Sequence, residues 1–320
     1  MTDYSKTDPG MLQFIQSFYA AEKVGFGAVG LEAARAMLDA FPEMVDAPPA
    51  EVGDVRDIEV EGADGRLKAR LYVPGDAQEN SPGLIFFHGG GWVMGGLDSH
   101  DRPCRRICQL GKIPVLAVDY RLAPEHPFPA AVDDAEAAFL WACDHAGDLS
   151  MDKNRLAVGG DSAGGNIAAS IALSLRGNSR GEPAFQLLIY PALQPFGSAP
   201  SHEKFSNGYA LDTADMKFFI SSYLQDHSNP QDPRAWPFFV DDVSDAAPAY
   251  IITGGQDPLQ DDGAAYTALL QSAGVSVVHE HFPGMIHGFC SMTALSPIAM
   301  QALEDAARHV GTALRGGGRK

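Results

Sequence analysis

The chain has 320 residues, 45% of them hydrophobic, and a formal net charge of −18, because 41 acidic side chains outnumber 23 basic ones. This is enough apolar sequence for one large α/β domain with an attached cap. The charge argues against nucleic acid and anionic membranes as partners, because both are bound through clustered Lys and Arg. We therefore expect neutral small molecules as partners.

The start of the chain and the cysteines predict a compartment. Residues 1–6 lack the basic and apolar regions of a signal peptide, and no apolar run reaches membrane-spanning length. The cysteines do not have the spacings that mark metal or redox sites; they are Cys104, Cys108, Cys143 and Cys290. We predict a cytoplasmic protein with reduced cysteines, no metal and no organic cofactor.

From about residue 54 the sequence alternates strand-like and helix-like patterns. Predicted strands cover 55–60, 67–73, 84–87, 115–118, 156–158, 187–190, 250–253 and 275–281. Predicted helices cover 102–109, 129–142, 263–272 and 297–314, and a further helix follows Ser162 with an apolar face from Ile167 to Leu175. The first two strands should form an antiparallel pair around a turn at 63–65. The repeated order of strand and helix predicts a mainly parallel central sheet covered by helices on both faces.

Two stretches do not follow this alternation. Residues 11–42 contain two amphipathic helical patterns, Met11 to Ala21 and Leu31 to Phe41, and residues 195–235 are rich in aromatic residues, Ser and Asn. We expect both to form a helical cap over the carboxyl ends of the strands, where α/β sheets bind ligands. The predicted division is a catalytic core of 46–194 and 236–320 and a cap of 1–45 and 195–235, with 315–320 as a frayed tail.

The segment 160–164, Gly-Asp-Ser-Ala-Gly, follows the apolar run 156–158. A Gly-x-Ser-x-Gly pattern alone is a weak signal, but here a strand precedes it and an apolar helical face follows it. This is the context in which a serine hydroxyl is held exposed on a tight strand-to-helix turn. The pattern makes Ser162 a candidate nucleophile; the competing interpretation is a glycine turn with Ser162 as a helix cap.

A serine hydroxyl is a poor nucleophile unless a base takes its proton, and the base needs a carboxylate partner. On this scaffold the acid and the histidine follow the serine, in that order, after later strands. Asp257 and His287 each follow an apolar strand in a glycine-rich segment. Asp261 and Asp262 compete with Asp257, but they fall at the start of a predicted helix, where acidic side chains are favoured. We predict Asp257 as the acid and His287 as the base.

A second glycine motif, His88-Gly89-Gly90-Gly91-Trp92, ends the apolar run 84–87. Glycines let the backbone approach a reacting oxygen and expose N–H groups to it. We predict an oxyanion hole formed by Gly90, Gly91 and Ala163, leave Gly89 open, and interpret His88 as a structural residue that orients the loop through hydrogen bonds.

Other polar pairs have simpler interpretations. His279 and His281 share a strand face, but no carboxylate or cysteine at ligand spacing accompanies them, so we expect a solvated face and no metal site. Asp133-Asp134 and Asp241-Asp242 are expected to be solvated surface pairs.

The motifs together resemble the hormone-sensitive-lipase-like family of α/β-hydrolase esterases, the bacterial type IV group. The matching segments are 88–92, 95–101, 119–125 (Asp-Tyr-Arg-Leu-Ala-Pro-Glu), 160–166, 257–259 and 285–289, in register over roughly residues 55 to 310. The resemblance implies an α/β-hydrolase fold, a triad of Ser162, Asp257 and His287, an oxyanion hole at Gly90, Gly91 and Ala163, and a mobile helical cap. It also makes a homodimer through the C-terminal strand or helix an expectation.

The expected activity is that of a serine carboxylesterase that hydrolyses short- to medium-chain acyl esters through an acyl-enzyme on Ser162. One alternative is an amidase or deacetylase with the same triad. A second is a non-catalytic receptor for a small ligand, because the family includes plant hormone receptors that have lost the catalytic histidine. His287 is present here, which favours an enzyme.

Overall fold

The computed structural model describes residues 2–20 and 25–316, so Met1, the end of the helix predicted at Ala21, and residues 317–320 of the predicted tail lie outside the described residues. The strands are β1 (Asp54–Gly62), β2 (Gly65–Val73), β3 (Ser81–Phe87), β4 (Val115–Val118), β5 (Met151–Asp161), β6 (Phe185–Ile189), β7 (Ala249–Gln256) and β8 (Val277–Ile286). The helices are α1 (Pro9–Ala20), α2 (Phe26–Val29), α3 (Leu31–Val45), α4 (Asp101–Gly111), α5 (Ala130–Asp144), α6 (Ala163–Ser174), α7 (Pro200–Lys204), α8 (Thr213–Leu224), α9 (Gln260–Ser272) and α10 (Pro297–Arg315).

The strands form one sheet in the order β1-β2-β4-β3-β5-β6-β7-β8. β1 pairs antiparallel with β2 through a tight turn between Gly62 and Gly65, and β2 pairs antiparallel with β4. The remaining neighbours are parallel. The predicted opening pair and mainly parallel sheet are therefore confirmed.

Alternation along the strands creates two apolar cores, one on each face of the sheet. In β3, Ile85 and Phe87 belong to the core under α5, α6 and α9, whereas Leu84 and Phe86 belong to the core under α4 and α10. All four side chains are buried. Because successive side chains of a strand point to opposite faces, a continuous apolar run is what a doubly covered strand needs.

Several predicted strands are longer in the structure. β5 begins at Met151, where it pairs with Ser81, and β8 continues to Ile286, directly before His287. The added residues include polar side chains and a proline, which hide the strand from an apolar pattern. The extension of β8 matters for function, because it brings His287 to the end of a strand.

Helical segments cover the carboxyl edge of the sheet. We call residues 9–45 and 195–235, where described, the covering segments. They contact each other through Phe26 and Phe219, whose ring centroids lie 5.8 Å apart, and through the main-chain N–H of Phe26, which donates to Asp215 at 3.0 Å. Between residues 195 and 240 the chain forms the helices α7 and α8, a short 3-10 turn and irregular structure.

One predicted surface pair is wrong. The carboxylate of Asp134 is fully buried, pairs with the Arg121 guanidinium at 2.8 Å, and accepts the main-chain N–H groups of Ala63 and Arg121 at 3.0 and 3.1 Å. Arg121, which neutralises it, lies thirteen residues earlier in the loop before α5, and Ala63 lies in the turn between β1 and β2, so the helical pattern of α5 could not indicate this burial.

Candidate active site

Ser162 occupies the single residue between β5 and α6. Its backbone has φ +53° and ψ −117°, a conformation that residues with a side chain rarely adopt. Its N–H donates to Ile189 O at 2.8 Å, and its carbonyl accepts the N–H of Asn166 at 3.0 Å. The strained turn is therefore held from both sides, with the serine side chain at the carboxyl edge of the sheet.

The two glycines of the motif make this turn possible. A Cβ on Gly164 would lie 1.9 Å from the carbonyl oxygen of Phe87, and a Cβ on Gly160 would lie 2.3 Å from the same atom. Helix α6 thus starts in contact with the end of β3, which leaves no room for a side chain at either position.

Asp257 and His287 meet Ser162 at this edge. Each directly follows a strand, β7 and β8 respectively. His287 Nε2 lies 2.9 Å from Ser162 Oγ, and His287 Nδ1 lies 2.8 Å from Asp257 Oδ2. The other carboxylate oxygen accepts the N–H of Leu259 at 2.8 Å, and the Asp257 side chain is fully buried. The sequence-predicted serine, histidine and acid therefore form one continuous chain of hydrogen bonds.

Tyr190, which sequence reasoning missed, packs edge-on against the His287 ring with 4.9 Å between centroids. Burial raises the pKa of its hydroxyl well above the usual range, so an uncharged tyrosine ring packs against the imidazole. Its position after β6 was a usable signal, because β6 is the strand between β5 and β7.

The glycine loop after β3 has an unusual backbone. Gly90 and Gly91 have φ +113° and +63°, and Gly90 O accepts the N–H groups of Val93 and Met94 at 3.2 and 2.9 Å. Among the described residues, no atom accepts a hydrogen bond from the N–H of Gly90 or Gly91. Ala163 is the first residue of α6, where helical N–H groups lack a partner within the helix. The three predicted oxyanion residues line the same cavity as Ser162 and His287.

Gly89 is engaged elsewhere. Its N–H donates to Asp161 Oδ1 at 2.9 Å. Burial acts to raise the pKa of Asp161, but the nearby His100 ring and the hydrogen bonds from His100 and Gly89 outweigh it and hold the pKa below its ordinary value. Asp161 is therefore a carboxylate, and Gly89 does not belong with Gly90 and Gly91.

His88 has the structural position that its motif predicts. Its Nδ1 lies 2.8 Å from Gly89 O, its ring stacks on Tyr120 at 4.4 Å between centroids, and the Tyr120 hydroxyl donates to His88 O at 2.7 Å. Burial lowers the pKa of His88 from 6.5 to about 3. The neutral ring is a fixed support for the glycine loop.

The rival carboxylates near Asp257 have other partners. Asp262 is fully buried, lies 2.9 Å from His202 Nε2, and accepts the N–H groups of Leu193 and Gln194. Asp261 accepts the N–H of Ser201 at 2.9 Å. Both tie the segment after β6 to the start of α9, a task that the helix-start interpretation did not anticipate.

The two remaining pairs lie elsewhere. His279 Nε2 and His281 Nδ1 lie 2.9 and 3.0 Å from Thr253 Oγ1, with His281 exposed. Asp241 and Asp242 are exposed, as predicted.

A cavity of about 850 Å³ opens above Ser162. Its walls combine the glycine loop with apolar side chains of the covering segments, among them Phe14, Phe18, Leu38, Phe41, Leu211, Met216 and Phe219. A large apolar cleft with a few convergent polar groups is the usual form of a small-molecule site.

Fold and site together define a hydrolase with an α/β scaffold. Residues 84–291 match the family described as the alpha/beta hydrolase fold. The carboxylic ester hydrolase LipN of Mycobacterium tuberculosis is 42% identical over 282 residues, which cover 84% of this chain and 74% of that protein. The ethyl acetate hydrolase of Pseudomonas putida is 35% identical over 91% of this chain and 93% of its own.

Solved structures agree over nearly the whole length. A hyperthermophilic esterase from Pyrobaculum calidifontis superposes with a TM-score of 0.88 at 36% identity, over 96% of this chain and 99% of that one. An ester hydrolase from the metagenome of Lake Arreo, complexed with a bipyridine phosphonate derivative, superposes with a TM-score of 0.93 at 37% identity, over 97% and 99%. This chain belongs to the α/β-hydrolase family, within its hormone-sensitive-lipase-like esterases. The fold and the resemblance predicted from sequence are confirmed.

Proposed function

We propose that this esterase hydrolyses short- to medium-chain acyl esters of neutral alcohols, with Ser162 as the nucleophile, His287 as the general base and Asp257 as its partner. The observation that carries the proposal is the unbroken chain from Asp257 Oδ2 through both His287 ring nitrogens to Ser162 Oγ, at 2.8 and 2.9 Å. These distances suit proton transfer in the resting enzyme.

The chemistry follows from this chain of contacts. Ser162 Oγ attacks the ester carbonyl carbon while its proton passes to His287 Nε2, and the tetrahedral intermediate carries an oxyanion. Collapse breaks the bond to the alcohol oxygen, which leaves with the proton from His287. Water then attacks the acyl-enzyme by the same route, and the acid and Ser162 are released. Asp257 keeps Nδ1 protonated throughout and stabilises the imidazolium.

Gly90, Gly91 and Ala163 form the oxyanion hole. The N–H groups of the two glycines, which have no acceptor in the described part of the chain, and the N–H at the start of α6 support this assignment. Donors that are already oriented where negative charge develops cost no reorganisation during the reaction.

The substrate class follows from the cavity. Among the described residues that line it there is no Lys or Arg, and most lining side chains are apolar. A carboxylate on the substrate would lie unpaired near Asp161, so neutral acyl groups are favoured. The Pseudomonas putida relative acts on ethyl acetate, whose acyl and alcohol parts are both short.

The covering segments act as the cap. Residues 1–45 and 195–235 form it and the catalytic core comprises 46–194 and 236–320, as the sequence predicts. Side chains from both stretches line the cavity, which supports this division.

The protein works in the cytoplasm as a homodimer. The four cysteines are free and buried, which suits a reducing compartment. No helix within the described residues is long and apolar enough to cross a membrane. β8 ends the sheet, and Val278 in its first part is 39% exposed, so this part of the edge is open to a second copy; further along β8, Gly284 O already accepts the N–H of Asp8 at 2.9 Å. Sedimentation velocity of the wild type tests the dimer, and a single monomer boundary at micromolar concentration would contradict it.

The decisive experiment measures hydrolysis of p-nitrophenyl acetate, butyrate, octanoate and palmitate, together with the matching anilides, by the wild type and Ser162→Ala. We expect turnover of the shorter esters and a loss of about 10⁶-fold in kcat in the variant. Ser170→Ala is the matched control, because Ser170 is also buried on α6 but donates to Arg234 O. Full activity of folded Ser162→Ala would refute the assignment of Ser162. Turnover of anilides alone would favour the amidase alternative.

A further inference from the structure

Asp161, the residue before Ser162, lies beneath the glycine loop. Its side chain is only 11% exposed. Besides the bond from Gly89 N, a Cβ on Gly89 would lie 2.4 Å from Asp161 Oδ2. The loop therefore rests directly on this carboxylate.

His100 and Ser99 hold the carboxylate in turn. His100 Nε2 lies 3.2 Å from Asp161 Oδ1, and His100 Nδ1 lies 2.9 Å from Ser99 Oγ. Ser99 Oγ is itself within 2.9 Å of Gly96 N and 3.1 Å of Gly96 O. His100 is the cap residue at the start of α4, so the series of hydrogen bonds ends on a helix of the core.

The glycine loop needs such an external support. Gly90 and Gly91 have positive φ and no side chains to hold their peptides, and glycine backbones reach many conformations at little cost. The bond from Gly89 N to Asp161 fixes the His88–Gly89 peptide, one residue before them. It also keeps the Gly89 N–H out of the reaction centre.

We propose that Asp161, held by His100 and Ser99, is a positioning residue that orients the glycine loop so that the Gly90 and Gly91 N–H groups meet the oxyanion. This inference rests on the proposed oxyanion hole. It predicts that Asp161 acts on the transition state and leaves ground-state binding of the ester almost unchanged.

Two substitutions separate the hydrogen bond from the charge. Asp161→Ala removes the acceptor, and we expect kcat for p-nitrophenyl butyrate to fall about 10²-fold with KM changed less than about threefold, the effect of a small misplacement of catalytic groups. Asp161→Asn keeps an oxygen that can accept from Gly89 N. It should retain most of the kcat that Asp161→Ala loses.

The inhibition constants of two ketones test stabilisation of the oxyanion directly. A trifluoromethyl alkyl ketone forms a tetrahedral adduct with the nucleophile and imitates the transition state, whereas the matching methyl ketone resembles the ground state. Asp161→Ala should weaken the trifluoromethyl ketone by about the same factor as kcat and leave the methyl ketone unchanged.

Asp134→Ala is the matched control, because Asp134 is also a buried carboxylate that accepts main-chain N–H groups of a loop, but it does not line the cavity. It should lower the melting temperature and leave the ratio of the two inhibition constants unchanged. If Asp161→Ala does not fold, His100→Ala and Gly89→Ala disturb the same contact, and a joint loss of kcat and trifluoromethyl ketone affinity supports the proposal.

The positioning role is wrong if folded Asp161→Ala has the wild-type kcat and the wild-type ratio of the two inhibition constants. The same result in both His100→Ala and Gly89→Ala would also overturn it. If Ser162→Ala is inactive at the same time, the proposed function stands and only this inference fails. If Ser162→Ala is active, the proposed function itself fails.

Discussion

The carboxyl edge of the sheet and the covering segments above it are built by different means. At the edge, Ser162, Asp257 and His287 each follow a strand and are held by hydrogen bonds of 2.8 to 2.9 Å. Above it, the cavity wall consists largely of Phe, Leu and Met side chains that pack without directed bonds. The two regions meet where a Cβ on Gly91 would lie 2.3 Å from the Phe219 ring.

This difference teaches where rate and selectivity are determined. Directed bonds between rigid strand ends specify the reacting atoms to within tenths of an ångström, as catalysis demands. Apolar packing adapts to many shapes, particularly through flexible Met side chains. Changes at the edge should therefore alter kcat, and changes in the covering segments should alter KM and chain-length preference.

Among the substitutions that test this comparison, the largest effect is expected from Asp257→Asn. The imidazole would lose its charged partner and favour the wrong tautomer, so kcat should fall about 10⁴-fold while the fold is retained. Steady-state kinetics with circular dichroism measure this. Asp261→Asn is the matched control, because that side chain accepts from Ser201 N instead of His287. An equal loss in Asp261→Asn would break the assignment of the catalytic acid.

Phe219→Ala tests the role of the covering segments in the same comparison. Phe219 is buried on α8 and lines the cavity, so we expect a loss of about 3 kcal/mol in the free energy of unfolding. KM for butyrate and octanoate esters should rise about tenfold with a smaller change in kcat. Phe218→Ala is the control, because Phe218 faces Gly27 and does not line the cavity. A fall in kcat without a change in KM would contradict the view that the covering segments determine substrate binding and the sheet edge determines the rate.

His88 gives the edge a pH-dependent stability. Its pKa is 6.5 in ordinary surroundings and about 3 in the folded protein. Below pH 6.5 the His88 side chain is protonated in the unfolded chain, whereas in the folded protein it stays neutral down to about pH 3. The free energy of unfolding therefore falls as the pH falls through this window. The slope from this one group approaches about 1.4 kcal/mol per pH unit.

Urea unfolding at pH 7.5 and pH 5 measures the slope. His88→Gln cannot titrate, so its stability should fall less between the two pH values than that of the wild type. Tyr120→Phe removes the hydroxyl bond to His88 O and should lower stability equally at both. An unchanged slope in His88→Gln would show that other groups carry the pH dependence.

The smallest effect is expected at the cavity mouth. Met44 is 68% exposed on the last turn of α3, so Met44→Ala should change the free energy of unfolding by less than about 0.5 kcal/mol. The kcat for butyrate should stay at the wild-type value, and any change should appear in KM for the longest esters. A tenfold loss of kcat would make the mouth part of the catalytic machinery.

Much of the site could be predicted from local patterns. The strained turn at Ser162 requires glycines at fixed neighbouring positions, and a buried strand requires a continuous apolar run, so both are visible in short windows of sequence. The burial of Asp134, the pairing of Asp262 with His202 and the bond from Gly89 to Asp161 were not predicted. Each depends on a contact between residues that are distant in sequence. An aspartate is also the same letter in the sequence whether its side chain is exposed to solvent or buried against a partner.

The sequence by itself determined the α/β class, the order of strands and helices along the chain, and the serine, aspartate and histidine that follow β5, β7 and β8, because these depend on periodicity and on local backbone requirements. Only the tertiary structure decided that Asp161 supports the glycine loop, that Tyr190 walls the His287 ring and that Phe219 covers Gly91. Those contacts depend on where distant loops converge once the sheet has formed, and loop convergence leaves no periodic signature in the chain.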